Sequence, residues 1–138
     1  MQNSKPKLKQ RAYLYALGVI KFIDYLEKKD FSVQVLSKQL LRSATSIGAN
    51  IIEAQAASSK KDFTKFFNYA LKSATQALVQ SRRRSGASLI NESKFWISLL
   101  RDSKKANKEK ADNLLQETTE LANILGSSIL TLRGKNKL

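Results

Sequence analysis

The 138-residue chain has no cysteine and no histidine, one proline and five glycines, and each shortage removes a class of answer. Without Cys or His there is no disulfide framework, no cysteine nucleophile, no Ser-His or Cys-His pair, and none of the usual zinc, haem or iron–sulfur ligand sets. Any catalysis would fall to Asp, Glu, Lys, Tyr and Ser, which need several converging carboxylates to hold Mg²⁺ or to move protons. Scarce Gly and Pro leave little material for tight β-turns, so a helical protein is expected. No stretch approaches the roughly 20 uninterrupted apolar residues that span a bilayer. Met1 to Arg11 is polar and basic, without the apolar centre of a signal peptide. These features predict a cytoplasmic protein with no membrane partner and no bound metal or cofactor.

What is abundant is positive charge: 25 Lys and Arg against 11 Asp and Glu, for a net +14. Such a surplus points toward polyanions, because phosphate backbones attract Lys and Arg with little regard to fold; solubility alone is the other explanation. An apolar content of 42% suffices for a buried core in one small domain.

The chain divides into a basic arm over residues 1–11, a helical body over 12–132 and a basic tail over 133–138. The arm holds Lys5, Lys7, Lys9 and Arg11 with no acid. From Ala12 to Leu26 apolar residues lie almost all the way round a helix. One face takes Ala12, Ala16, Val19, Ile23 and Leu26; another takes Tyr15, Gly18, Phe22 and Tyr25. A helix apolar on all sides is buried on more than one side, so the second face is expected to meet another subunit, the alternative being a long loop or a neighbouring helix lying over it. A second helix over about Ser32 to Ala57 shows one stripe through Val33, Leu36, Leu40, Ala44, Ile47, Ile51 and Ala54. Beside it, Leu41, Thr45, Gly48 and Ile52 form a narrower face, with Gly48 suited to close helix approach.

Ser59 begins a third helix, with Asp62 completing a weak capping box. Phe63, Phe66, Phe67, Ala70, Ala74 and Ala77 form its apolar face, and Lys61, Lys65 and Lys72 cluster opposite as a basic stripe, the pattern also of an ordinary solvated face. Arg82, Arg83 and Arg84, followed by Gly86, then interrupt the apolar pattern. Helical spacing resumes in Phe95, Trp96, Leu99 and Leu100, with Trp96 assigned to the core rather than to base stacking. Lys104 and Lys105 flank a turn in which Asn107 caps the last helix. That helix carries Ala111, Leu114, Leu115, Thr118, Leu121, Ala122, Leu125, Ile129 and Leu132 on one stripe and ends near Gly134.

The segment SKQLLRSATSIGANIIEAQAASSKKDF (Ser37 to Phe63), with the following ALKSA and the later KFWISLLRDS, resembles a bacterial four-helix-bundle family. That family comprises the 23S rRNA intervening-sequence proteins and the accessory variability proteins of diversity-generating retroelements. The resemblance implies an all-α, antiparallel up-down four-helix bundle that assembles as a ring-like homopentamer. For the accessory branch it also implies binding of nucleic acid and of a retroelement reverse transcriptase. One departure stands out. About sixteen residues, Thr75 to Ile90, separate Ala74 from Asn91, which in the family pattern are adjacent. Sixteen residues make about 4.4 helical turns, so a continuous helix would rotate the Phe95–Trp96 face away from its expected direction. Two outcomes are open: an arginine-bearing loop, or a longer third helix in which Leu78, Val79, Leu89 and Ile90 enter the core.

Two acidic constellations are weak as chemistry. Glu92-Ser93-Lys94 matches half of a nuclease signature without the accompanying Asp on a strand. Asn50 and Glu53, one turn apart, suit a structural pairing better than a metal or substrate site. The leading expectation is therefore a non-enzymatic, oligomeric nucleic-acid-binding protein, accessory to a reverse transcriptase or associated with rRNA. Lys61, Lys65, Lys72, Arg82 to Arg84, Lys104 and Lys105 would contact the phosphates of RNA or an RNA–DNA hybrid. The alternative is a self-assembling interaction module with no specific nucleic-acid ligand.

Overall fold

A computed structural model describes residues 8–55 and 89–136, with side chains for 8–53 and 89–125. These residues form four helices, α1 (Leu8–Asp24), α2 (Phe31–Gln55), α3 (Leu89–Asp102) and α4 (Lys108–Asn136), and no strand. Each helix packs on the next and α4 returns to α1, closing a four-helix bundle. The direction of each pair follows from its contacts. Along α1, Arg11, Tyr15 and Tyr25 meet Glu120, Thr118 and Lys110 in descending order on α4. Ser43 meets Ser93, and Asp30 meets Lys105, across α2 and α3. All neighbours are therefore antiparallel, and the short α1/α2 and α3/α4 turns share one end. The expected start of a third helix at Ser59 and residues 75–88 of the inserted stretch lie outside the described residues.

Local chemistry sets the helix ends. Asp30 caps α2, its carboxylate accepting from the Val33 amide at 3.0 Å while its carbonyl accepts from Gln34. Lys28 donates to the Ile23, Asp24 and Leu26 carbonyls, satisfying the C-terminal end of α1. Asn107 caps α4 through the Lys110 amide at 2.9 Å, as its sequence position predicts. The end of α3 is a Schellman motif: the Lys105 amide returns to the Leu100 carbonyl and the Lys104 amide to Arg101. Lys104 holds the left-handed position, with φ 64°, that glycine usually takes.

Three expectations differ from the structure. First, α1 begins at Leu8 rather than at Ala12, because Leu8 packs against the core and Arg11 pairs with Glu117 and Glu120. Second, α4 continues through Gly134 to Asn136. Third, the core stripe of α3 runs through Leu89, Ile90, Ser93, Ile97 and Leu100, leaving Phe95 outside at 55% exposure and Leu99 at the surface. Gly48 is buried, yet a Cβ there would meet only the Ala12 carbonyl oxygen, at an ordinary 3.8 Å. Its absence is therefore not what permits α1 and α2 to approach.

The core itself is aliphatic, built on Val19, Leu40, Ile47, Ile51, Ile97, Leu100 and Leu125. Through it runs one hydroxyl group from each helix. Tyr15 Oη and Thr118 Oγ1 lie 2.7 Å apart, and Ser43 and Ser93 Oγ 2.8 Å apart. Thr118 and Ser43 also donate to the Leu114 and Leu40 carbonyls of their own helices. Burial pushes the Tyr15 phenol up to about 12, against an ordinary 10.0, with the Thr118 and Ser93 hydroxyls opposing the shift. A phenol harder to ionise in the folded chain stabilises the fold fully below pH 10, and that contribution disappears as pH rises toward 12. Tyr15→Phe is expected to lower stability at pH 7 by about 1 kcal/mol, the net value of one buried hydrogen bond. It should also make the loss of stability between pH 10 and 12 shallower. Urea midpoints at pH 7, 10 and 12 check both effects.

Candidate nucleic-acid interface

The eight basic residues proposed for phosphate contact separate into two groups. Lys61, Lys65, Lys72, Arg82, Arg83 and Arg84 lie outside the described residues. Lys104 and Lys105 sit on the α3/α4 turn; Lys104 is exposed with no ion pair among the described residues, whereas Lys105 is engaged. Lys105 Nζ is 2.6 Å from Asp30 Oδ2, tying the two turns together. Arg101 bonds Asp102 and Asp112, and Lys108 bonds Asp112 from one helical turn away. Asp30 is held below the usual carboxylate range by Lys105, Asp102 by Arg101, and Asp112 by Lys108 and Arg101. Over residues 24–30 and 101–112 the sequence holds seven basic and six acidic side chains. That end of the bundle is therefore close to electrically balanced, and exposed pairs of this kind contribute little to stability.

The surplus lies elsewhere. The described residues contain 15 Lys and Arg against 10 Asp and Glu, whereas residues 1–7, 56–88 and 137–138 contain ten basic residues and one acid. Of the +14, +9 thus belongs to those three segments.

The four side chains expected to form a subunit contact do not share one surface. Tyr15 and Phe22 are buried in the chain's own core. Gly18 lies at the bottom of a groove along the α1/α4 seam, and only Tyr25, 72% exposed, projects fully. The outward large apolar residues are instead Tyr13, Leu14 and Ile20 on α1 and Phe31, Val35, Leu41 and Ile52 on α2. Of the four on α2, Leu41 and Ile52 belong to the narrower face read from the sequence.

That α1/α4 groove holds residues the sequence did not single out: Lys21, Lys110 and Asn113. The Lys110 ammonium sits 4.3 Å from the centre of the Tyr25 ring, a cation–π contact. Lys21 and Tyr25 are four apart on the chain, a weak signal for a shared face; nothing in the sequence pairs them with Lys110.

The weaker chemical candidates do not assemble. Asn50 donates to the Ser46 carbonyl of its own helix, and Glu53 is exposed. Ser93, centre of the half nuclease signature, is buried against Ser43. Among the described residues no group of three acidic side chains could hold a metal ion, and no helix is long and apolar enough to cross a membrane. Trp96 is partly buried against the core, edge-to-face with Phe95 at 5.0 Å.

Fold and surface together define an antiparallel four-helix bundle whose described residues carry +5, with a further +9 on residues 1–7, 56–88 and 137–138. The chain belongs to the 23S rRNA-intervening sequence protein family, whose pattern it matches over residues 4–127. A crystal structure of a protein of unknown function from the S23 ribosomal protein family of Bacteroides thetaiotaomicron is similar. It shares 32% identity and a TM-score of 0.70, over 89% of this chain and 98% of that one. No match was found among curated proteins.

Proposed function

We propose that the protein is a non-enzymatic, oligomeric nucleic-acid-binding protein that holds RNA or an RNA–DNA hybrid by its phosphates, in association with rRNA or as an accessory to a reverse transcriptase. The observation that carries this reading is the segregation of charge. Ten basic residues and one acid occupy residues 1–7, 56–88 and 137–138, against 15 basic residues and ten acids in the described residues, where Arg11, Arg101, Lys105 and Lys108 are paired with acids. The family's link to the 23S rRNA intervening sequence supports an RNA ligand. Contacts to phosphate carry no base code, so binding would be largely independent of sequence.

Self-association is supported by Tyr13, Ile20, Leu41 and Ile52, large apolar side chains left at the surface of the adjacent helices α1 and α2. Assembly multiplies the basic segments on one particle, so polyanion affinity would depend on it. Titrating labelled RNA duplex and RNA–DNA hybrid at several salt concentrations tests the reading. Binding with a steep negative dependence on salt is expected. Absence of binding at low salt, or a flat salt dependence, would leave the self-assembling module as the better account.

A further inference from the structure

The α1/α4 groove combines three properties. It is open, with a volume of about 290 Å³, near the lower end of the roughly 300 Å³ at which ligand sites begin. At its rim stands an exposed aromatic ring, Tyr25, whose face already carries the Lys110 ammonium. Its lining carries a positive excess of one charge, Lys21 and Lys110 against Glu117. Lys21 and Lys110 form no ion pair among the described residues, while the one acid of the lining, Glu117, is engaged by Arg11 at 3.3 Å.

We infer that this groove takes one unpaired base of a single-stranded nucleic acid, stacked on Tyr25, with Lys21 and Lys110 on the flanking phosphates and the Asn113 amide facing the base edge. The site presupposes the nucleic-acid reading above and adds a single-strand contact on the bundle itself. Aromatic platforms beside lysines are how proteins hold unpaired strands, because every base offers a π-face and every linkage a negative charge. Lys110 would move from the ring to a phosphate, giving up an exposed cation–π contact weaker than a stacked base. Asn113 supplies both a donor and an acceptor. A protein partner fits less well, since interface centres are poor in lysine and this groove holds two.

The test compares a single-stranded RNA containing 2-aminopurine with a duplex of the same length, on the full chain. Tyr25→Ala is expected to weaken single-strand binding by about 5- to 150-fold, the range of one stacked base, and to relieve 2-aminopurine quenching. Duplex affinity should stay as in the wild type, and Tyr25→Phe should retain both stacking signals. Because Tyr25 is exposed, the Ala variant keeps the fold. Single-strand affinity unchanged by Tyr25→Ala, an equal loss on duplex, or a change in sedimentation coefficient would each overturn the site. The first of these, with wild-type binding intact, leaves the broader reading standing. Failure of the wild type to bind either RNA at low salt removes both.

Discussion

Replacing Lys61, Lys65, Lys72, Arg82, Arg83 and Arg84 together by Gln is expected to lower affinity for duplex RNA by roughly 10⁵-fold near 0.1 M salt, with a salt slope shallower by about five. Each Lys or Arg that neutralises a phosphate releases a condensed counterion and contributes about 0.9 to the slope, so six contacts give the exponent. The companion variant Lys104→Gln with Lys105→Gln should change the slope by no more than about one or two. Lys105 already shares its charge with Asp30, and the surrounding turns carry nearly as many acids as bases. Circular dichroism and the thermal midpoint of the sixfold variant establish that it remains folded. If that folded variant keeps its affinity and slope, the phosphate-binding role passes from these residues to other surfaces, and the segregation of charge loses its functional meaning.

Much of the bundle was legible because its helices carry narrow apolar stripes. Of the α2 stripe, Val33, Leu40, Ala44, Ile47 and Ile51 are buried and Leu36 partly so; of the α4 stripe, Ala111, Leu114, Thr118, Leu121 and Leu125 are buried and Leu115 and Ala122 partly so, Ala54, Ile129 and Leu132 lying outside the residues whose side chains are described. Thr118 is instructive: its place in the stripe marked it as core, and its hydroxyl is satisfied there by Tyr15 and the Leu114 carbonyl. Periodicity lost direction wherever apolar residues run right round the helix. Between Ala12 and Leu26 it offered two faces, and the one with Tyr15, Gly18, Phe22 and Tyr25 is the one expected to turn outward to a subunit contact, whereas the core took Ala12, Tyr15, Val19, Phe22 and Leu26, a mixture of both. On α3 the most hydrophobic-looking residues, Phe95 and Leu99, lost to Ser93 and Ile97, because a buried serine gives no apolar signal. The α1/α4 groove was invisible for a different reason. Tyr25 and Lys110 are 85 positions apart, and one sequence holds no record of which helix faces meet. Gly18, with the nearest side-chain atom 4.0 Å from where its Cβ would be, helps keep that seam open.

The double replacement Leu89→Ala with Ile90→Ala is expected to cost about 4 kcal/mol or more, because burying Leu or Ile is worth about 2–5 kcal/mol per truncation to Ala and neighbouring losses are only partly additive. These residues end the sixteen-residue stretch that separates the chain from the family pattern. Were the whole stretch a surface excursion, truncating its last two side chains would cost almost nothing. In the structure they are 8% and 4% exposed and lie on the stripe continued by Ser93, Ile97 and Leu100. Helical geometry explains why both enter: Leu89 and Ile90 are about 100° apart and flank the direction shared by residues 93, 97 and 100. The inserted stretch therefore lends at least its end to the core. A native stability of about 5–15 kcal/mol makes the loss a large fraction of the whole. At about 2–8 °C per kcal/mol for domains bracketing this size, the thermal midpoint should fall by roughly 8 °C or more. Phe95→Ala, which removes a larger but 55% exposed side chain from the same helix, should lower it far less. Equal losses for the two variants would mean that the α3 stripe is rotated toward Phe95, and that the inserted residues do not set its register.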